Sequence, residues 1–340
     1  MLMRITARRV IGVITLSAAS AFLASQAQAQ QPSSTESLQT IMEHRQDLSR
    51  RAVEETKQRR FEEGKSDSNF PSDNVNATRR GVIPALTPQQ QNALKHNERG
   101  LELFSKGQFD GAMKEYQEAI RSDPKLAAAH NNLGSAYFAA GRFAEAATAF
   151  TRACELDPNY GQAFFNLALS QIKLGHEKEA NETLNAALRA YNSAGEAELN
   201  AGHFKEAEEA FRGMLQIDPE YAPALLRLGL VYNSAGRYAD AAQFLRRGAE
   251  RDPSNAAAHE LLAEALYGEQ KYEEAAASAE RSLKLSPNQP DAYYFAGLAR
   301  ASLGQRDAAL AHLDKLRQLN SPKQTQQLLD FINQKAPVKQ

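Results

Sequence analysis

Residues 259–263 read His259-Glu260-Leu261-Leu262-Ala263 and carry the strongest hint of catalysis in the chain. A zinc hydrolase helix of the His-Glu-x-x-His type needs a second imidazole one helical turn on, so that two rings face one metal and the glutamate can work as a base. Ala263 stands at that place. His176-Glu177 fails the same way, with Ala180 at the decisive position. His44, His96, His130, His203 and His312 are scattered, and His96, His130 and His259 recur at one slot of a periodic pattern, which favours packing over ligation. Cys154 is the one cysteine, so packing and not a disulfide holds the fold. No phosphate-cradling glycine loop and no Gly-x-Ser-x-Gly elbow is present. The sequence reads as a non-enzyme with no cofactor and no bound metal; a metal-dependent hydrolase is the alternative from another class.

The elements that must position any site follow from a period. Asp-Pro recurs at Pro124, Pro158, Pro219 and Pro253, with Ser-Pro at Pro287; the intervals are 34, 61, 34 and 34. Between the prolines, apolar residues fall at helical spacing in two runs, as in Leu133, Tyr137, Phe138 and then Ala146, Ala147, Phe150, Ala153. Gly141 sits where the first helix must stop and the chain reverse. Gly134, Ala146 and Ala153 allow close approach, and Tyr137, Phe143 and Phe150 fill the remaining space. One hairpin cannot bury its apolar face alone, whereas stacked neighbours can.

These residues identify the chain as resembling the tetratricopeptide-repeat (TPR) family. The match runs through Leu133-Gly134, Tyr137, Gly141, Phe143, Ala146, Phe150, Ala153 and Pro158. It recurs as Gly100, Leu103, Gly107, Phe109, Ala112, Tyr116, Ala119 and Pro124, and again as Leu228-Gly229, Tyr232, Gly236, Tyr238, Ala241, Leu245, Gly248 and Pro253. The resemblance implies an all-α, right-handed superhelical solenoid of antiparallel helix hairpins. About seven units begin near Ala93, Ala127, Gly161, Leu188, Ala222, Ala256 and Pro290, with a capping helix across 323–334. The interval of 61 is seven residues short of two repeats and lacks a proline between Gly175 and Gly202. It calls for one long helix or a shortened hairpin at Asn192–Gly195, and so for units at 93–190 and 191–321, with cap and tail at 322–340.

The front of the chain differs. Arg4, Arg8 and Arg9, the apolar stretch 10–24 and Ala27-Gln28-Ala29 fit a secretory signal over 1–29, cleaved before Gln30. A membrane anchor is the competing reading, although a spanning helix needs about 20 apolar residues. Export places the mature chain in a bacterial periplasm or outside the cell, without a membrane span. Residues 30–92 carry nine basic and nine acidic side chains and read as a polar leader, with an amphipathic helix possible at 36–65 and a linker at 66–91. That helix either docks on a partner or on the chain's own groove, or forms part of a solvated leader.

Residues 93–321 carry 25 basic and 31 acidic side chains, which gives no footprint for nucleic acid and tilts towards a basic partner. In the family, first helices line a concave surface that holds a peptide or protein partner. The resemblance points Asn132 and Asn166 inward, with Asn97 and Asn131 close by. An amide both donates and accepts, so such a row could pair with any peptide backbone; a solvated polar face is the other reading. On the first reading, replacing Asn132 and Asn166 should spare the melting temperature. Family members that clamp a C-terminal carboxylate use basic residues where this chain has Asn97, Gln162 and Asn166, which argues against a clamp. Further along, Arg227, Asn233, Glu260, Glu264, Tyr267 and Tyr294 would make a more selective surface. The function implied is an exported interaction scaffold, or an accessory of envelope assembly such as polysaccharide export, pilus biogenesis or outer-membrane protein maturation.

Overall fold

A computed structural model describes residues 86–335. The signal at 1–29, the leader with its helix at 36–65 and the last five residues of the tail lie outside the described residues. The described chain divides into two compact units, with the boundary between Ala187 and Leu188.

The first unit holds α1 (Pro88–Ser105), α2 (Phe109–Ser122), α3 (Ala127–Ala139), α4 (Phe143–Leu156), α5 (Gly161–Lys173) and the start of α6 (Glu177–Ala201). The second holds the rest of α6, then α7 (Phe204–Ile217), α8 (Ala222–Ser234), α9 (Tyr238–Arg251), α10 (Ala256–Gly268), α11 (Tyr272–Leu285), α12 (Pro290–Ser302), α13 (Arg306–Gln318) and α14 (Pro322–Gln334). No strand occurs among the described residues, and no helix there is long and apolar enough to cross a membrane. Within each unit, consecutive helices pack as hairpins and successive hairpins stack, the arrangement of an all-α TPR solenoid.

Two local devices set the repeat. Inside a hairpin, the first helix ends on a left-handed residue: the Gly141 N–H donates to Phe138 O (3.0 Å) and the Arg142 N–H to Tyr137 O (2.9 Å), which satisfies two terminal carbonyls. Gln270 (φ 63°) takes the same conformation at one of these turns, and Asn320 (φ 53°) does so between α13 and α14. Between hairpins, the residue before each proline is extended, as at Asp123 and Asp157, because the pyrrolidine ring crowds an α conformation there. The aspartate also accepts from the backbone two residues on, Lys125 N–H to Asp123 Oδ1 at 3.0 Å and Asn159 N–H to Asp157 Oδ1 at 2.9 Å.

Where that signal is missing the helix does not stop. α6 runs unbroken for 25 residues, and no shortened hairpin forms at Asn192–Gly195. Gly195 nevertheless meets Phe211 as Gly134 meets Phe150: a Cβ at Gly195 would fall 2.6 Å from the Phe211 ring, and one at Gly134 would fall 2.7 Å from the Phe150 ring. The second half of α6 is therefore the first helix of a repeat whose connecting loop has been deleted.

The other departure is at the front. The linker expected over 66–91 gives way to helix at Pro88, because Thr87 and Gln90 form a capping box with proline at the first helical position: Gln90 N–H donates to Thr87 Oγ1 (3.2 Å) and Thr87 N–H to Gln90 Oε1 (3.0 Å). The core is built from small and aromatic residues in turn. In the first unit, Ala146, Phe150, Ala153 and Leu167 are buried with Cys154, whose thiol burial pushes up to about 12. In the second, α14 inserts Leu328 and Ile332 against Leu298, Leu313 and Leu316 and turns its polar side outward.

The Gly134 contact leaves no room for a side chain. Gly134→Leu is expected to destabilise the protein by about 1–3 kcal/mol through overpacking, measured by thermal unfolding followed at 222 nm; a curve superimposable on the parent would show the register to be wrong.

Candidate functional site

The first helices of the first unit, α1, α3 and α5, carry the expected asparagines, and the structure joins them to one another. Gln162 Nε2 donates to Asn166 Oδ1 (3.0 Å), Asn166 Nδ2 to Asn131 Oδ1 (2.9 Å), and Asn132 Nδ2 to Asn97 Oδ1 (2.9 Å). A longer contact of 3.4 Å from Asn131 Nδ2 to Asn132 Oδ1 links the two halves into one chain of amides. Asn97, Asn131 and Asn166 are buried; Asn132 is half-buried. The amides thus spend hydrogen-bonding capacity on holding α1, α3 and α5 together. Asn166, at 2% exposure, is bonded into this row, and its replacement is now expected to carry a cost in stability.

The histidines at the recurring slot serve the turns. His130 Nε2 lies 3.1 Å from Pro124 O and His259 Nε2 lies 3.3 Å from Pro253 O, while His96 Nδ1 faces Glu115 Oε2 at 2.7 Å. Ala263, where a second zinc-binding imidazole would stand, is fully buried with Ala279 and Ala296.

The second unit offers a different face. α8, α10 and α12 touch in succession. Arg227, on α8, pairs with Glu196 of α6. Asn233, at the end of α8, is 5% exposed; its Nδ2 donates to Leu261 O (2.9 Å) and to Glu264 Oε2 (3.0 Å), and its Oδ1 has no hydrogen-bond partner. Glu260 and Glu264 are one turn apart on α10, both half-buried, with Asp291 exposed at the start of α12. Burial, then the charges of Asp291 and Glu264, push the Glu260 carboxyl up to about 7. Burial also raises Glu264, against the opposing hydrogen bond from Asn233, and Asp291 adds to the rise.

Tyr267 and Tyr294 continue this face. Tyr267 stacks obliquely on Phe295 (6.2 Å between centroids) and Tyr294 meets Phe295 edge-on (5.5 Å). Both tyrosines line an open cleft of about 380 Å³ completed by Leu298 and, from α14, Gln327, Asp330, Phe331 and Gln334. The four α14 residues were beyond reach of the sequence pattern, because they belong to the face on which α14 packs beside α12 and not to the repeat motif. Asp291 was missed for the same reason: it precedes the apolar pattern of α12.

The arrangement provides carboxylates beside aromatic surface, suited to holding a ligand. Among the described residues no three His, Cys, Asp or Glu side chains are placed to hold a metal ion together.

Comparison with known proteins places this geometry. A sequence model described as TPR repeat matches residues 100–141, and models described as tetratricopeptide repeat match 127–160, 162–191, 198–265, 245–290 and 260–323. No curated protein matches the chain. Among solved structures, YrrB, described as a TPR protein with an unusual peptide-binding site, is 19% identical over 63% of this chain and 97% of its own, with a TM-score of 0.38. A tetratricopeptide repeat protein from Parabacteroides merdae is 18% identical over 71% of this chain and 99% of its own, with a TM-score of 0.37. The second TPR of Spaghetti (RPAP3), bound to the HSP90 peptide SRMEEVD, is 28% identical over 30% of this chain and 94% of its own, with a TM-score of 0.29.

Asn166→Ala removes the donor to Asn131 and the acceptor for Gln162. It is expected to cost about 1–3 kcal/mol, the penalty for stranding buried polar groups, read as a lower urea midpoint; an unchanged midpoint would show that the amide chain holds nothing.

Proposed function

The chain belongs to the tetratricopeptide-repeat family, and from that premise we propose that it is an interaction scaffold holding a peptide or protein partner against the first-helix face of its second unit. One observation carries this reading. Glu260, Glu264, Tyr267 and Tyr294 are half-buried on α10 and α12, and the two tyrosines open onto a cleft. Tyrosines of this kind give large contact area at little entropic cost and a polar tip for orientation, which is how interface anchors work. In the first unit the corresponding amides are engaged with each other, so that part of the chain contributes rigidity more than capture.

The scaffold works by binding and carries out no reaction. We further propose export to a bacterial periplasm or the exterior, on the strength of Arg4, Arg8 and Arg9, the apolar stretch 10–24 and Ala27-Gln28-Ala29. An accessory role in envelope assembly fits an exported scaffold, with the partner supplying the pathway.

A single experiment addresses both. C-terminally tagged chain is captured from the envelope fraction of its native host alongside the Tyr267→Ala/Tyr294→Ala variant, and its mass is measured. Expected are a partner recovered at least about tenfold better by the parent, the factor that truncating interface anchors produces, and a mature chain beginning at Gln30. Equal recovery by a folded variant would place the site elsewhere, and an unprocessed chain would refute cleavage.

A further inference from the structure

Charge in the second unit is mostly compensated within the unit. Glu220 accepts from Arg247 and Arg251, both at 2.9 Å, Glu274 from Arg246 at 2.6 Å, and Glu280 pairs with Arg300. Glu260, Glu264 and Asp291 are the exception as a cluster: no basic side chain of the described residues pairs with them, only the amides of Asn233 and Gln324 donate to Glu264 and Asp291, and Asp291 acts on both Glu260 and Glu264. The first-helix cations Arg227 of α8 and Arg300 of α12 are held by Glu196 and Glu280.

A second observation points the same way. Asn233 is buried to 5% exposure with its amide against Glu264, yet its Oδ1 has no partner. Buried carbonyl oxygens are normally satisfied, and this orphan belongs to the amide whose nitrogen is turned to Glu264. The adjoining cleft of about 380 Å³ combines aromatic and apolar surface from Tyr267, Tyr294, Leu298 and Phe331 with the polar Gln327, Asp330 and Gln334.

We infer that this face recognises an arginine side chain of the partner, its guanidinium set among Glu260, Glu264 and Asp291 and a neighbouring apolar residue of the same peptide seated between Tyr267 and Tyr294. The inference rests on the reading of this face as a peptide-binding surface and specifies the chemistry it selects. A guanidinium offers five donors in a planar fork, can bridge two carboxylates and stacks on aromatic faces, whereas a lysine ammonium is a compact point charge. Attraction of this kind fixes register and excludes acidic competitors by repulsion.

The test uses fluorescence anisotropy with three labelled peptides: alternating arginine and leucine, and the same peptide with serine or glutamate replacing arginine. The arginine peptide is expected to bind at least about tenfold more tightly than the serine peptide, the scale of a partly desolvated ion pair, and the glutamate peptide more weakly than either. Glu260→Gln/Asp291→Asn should abolish the preference. Glu273→Gln/Asp307→Asn, which changes net charge equally at exposed positions, should keep it. Binding should tighten from pH 6 to pH 8, because Glu260, half-buried near Glu264 on its own helix and Asp291 on α12, completes its ionisation across that range. Far-UV circular dichroism verifies that each variant is folded. A preference that survives Glu260→Gln/Asp291→Asn, or that falls equally in the exposed control, overturns the inference. Peptides bound alike whatever their charge, but all weakened by Tyr267→Ala, overturn the inference and leave the peptide-binding reading standing. If none of the three binds, that reading falls too.

Discussion

Two helices lie side by side closely enough to share one apolar seam where one of them presents glycine or alanine at the crossing, and the fold rests on that constraint. At Gly134 the Phe150 ring occupies the volume a Cβ would need, and the same relation recurs at Gly195 with Phe211 and at Gly229 with Leu245. Each such contact closes a hairpin, and each hairpin then offers the apolar surface on which the next stacks. Because the close approach fixes how the first helix is turned about its axis, it also fixes which side chains of that helix face away from the seam. The functional face is thus a geometric consequence of the packing code.

The two units use that face for different ends. In the first, amides span α1, α3 and α5 with bonds of 2.9 Å between residues 35 positions apart, a polar seam laid beside an apolar one. Satisfied amide chains rigidify, and half-satisfied ones cost stability. In the second, Glu260 and Tyr294 stand at the repeat position of Asn131 and, with Glu264 and Tyr267, are incompletely buried, while Asn233 bridges α8 to α10 and leaves its own oxygen unpaired. Burial, and then the charges of Asp291 and Glu264, raise Glu260 towards neutrality, an unfavourable arrangement for folding alone and a favourable one for taking up a cation.

The sequence made the repeat readable because proline, glycine and the aromatic positions act locally: Asp123-Pro124 stops a helix and Gly141 reverses it whatever the neighbours do. What escaped was determined at a distance or by substitution of type. Gln270 and Asn320 adopt the left-handed turn that glycine signals elsewhere. The missing loop in α6 left two outcomes open, since absence of a stop signal does not say how far a helix continues, and Gly195 resolves it only once Phe211 is placed against it. The start of α1 was hidden in a glutamine-rich stretch whose capping box, Thr87 with Gln90, outweighed its polar composition. For the site, residue types were legible and their partners were not: Asn166 looks alike on a strut and on a ligand-binding row, and only the fold shows its hydrogen bonds to Asn131 and from Gln162.

The central claim is that the partner lies on α10 and α12 and not on the amide row. It is tested most directly by site-specific photo-crosslinking in the native host, with a photoreactive phenylalanine analogue replacing Tyr294 in one strain and Asn132 in another. The account expects a discrete crosslinked product from position 294 and none from position 132. A product from position 132 alone would contradict it.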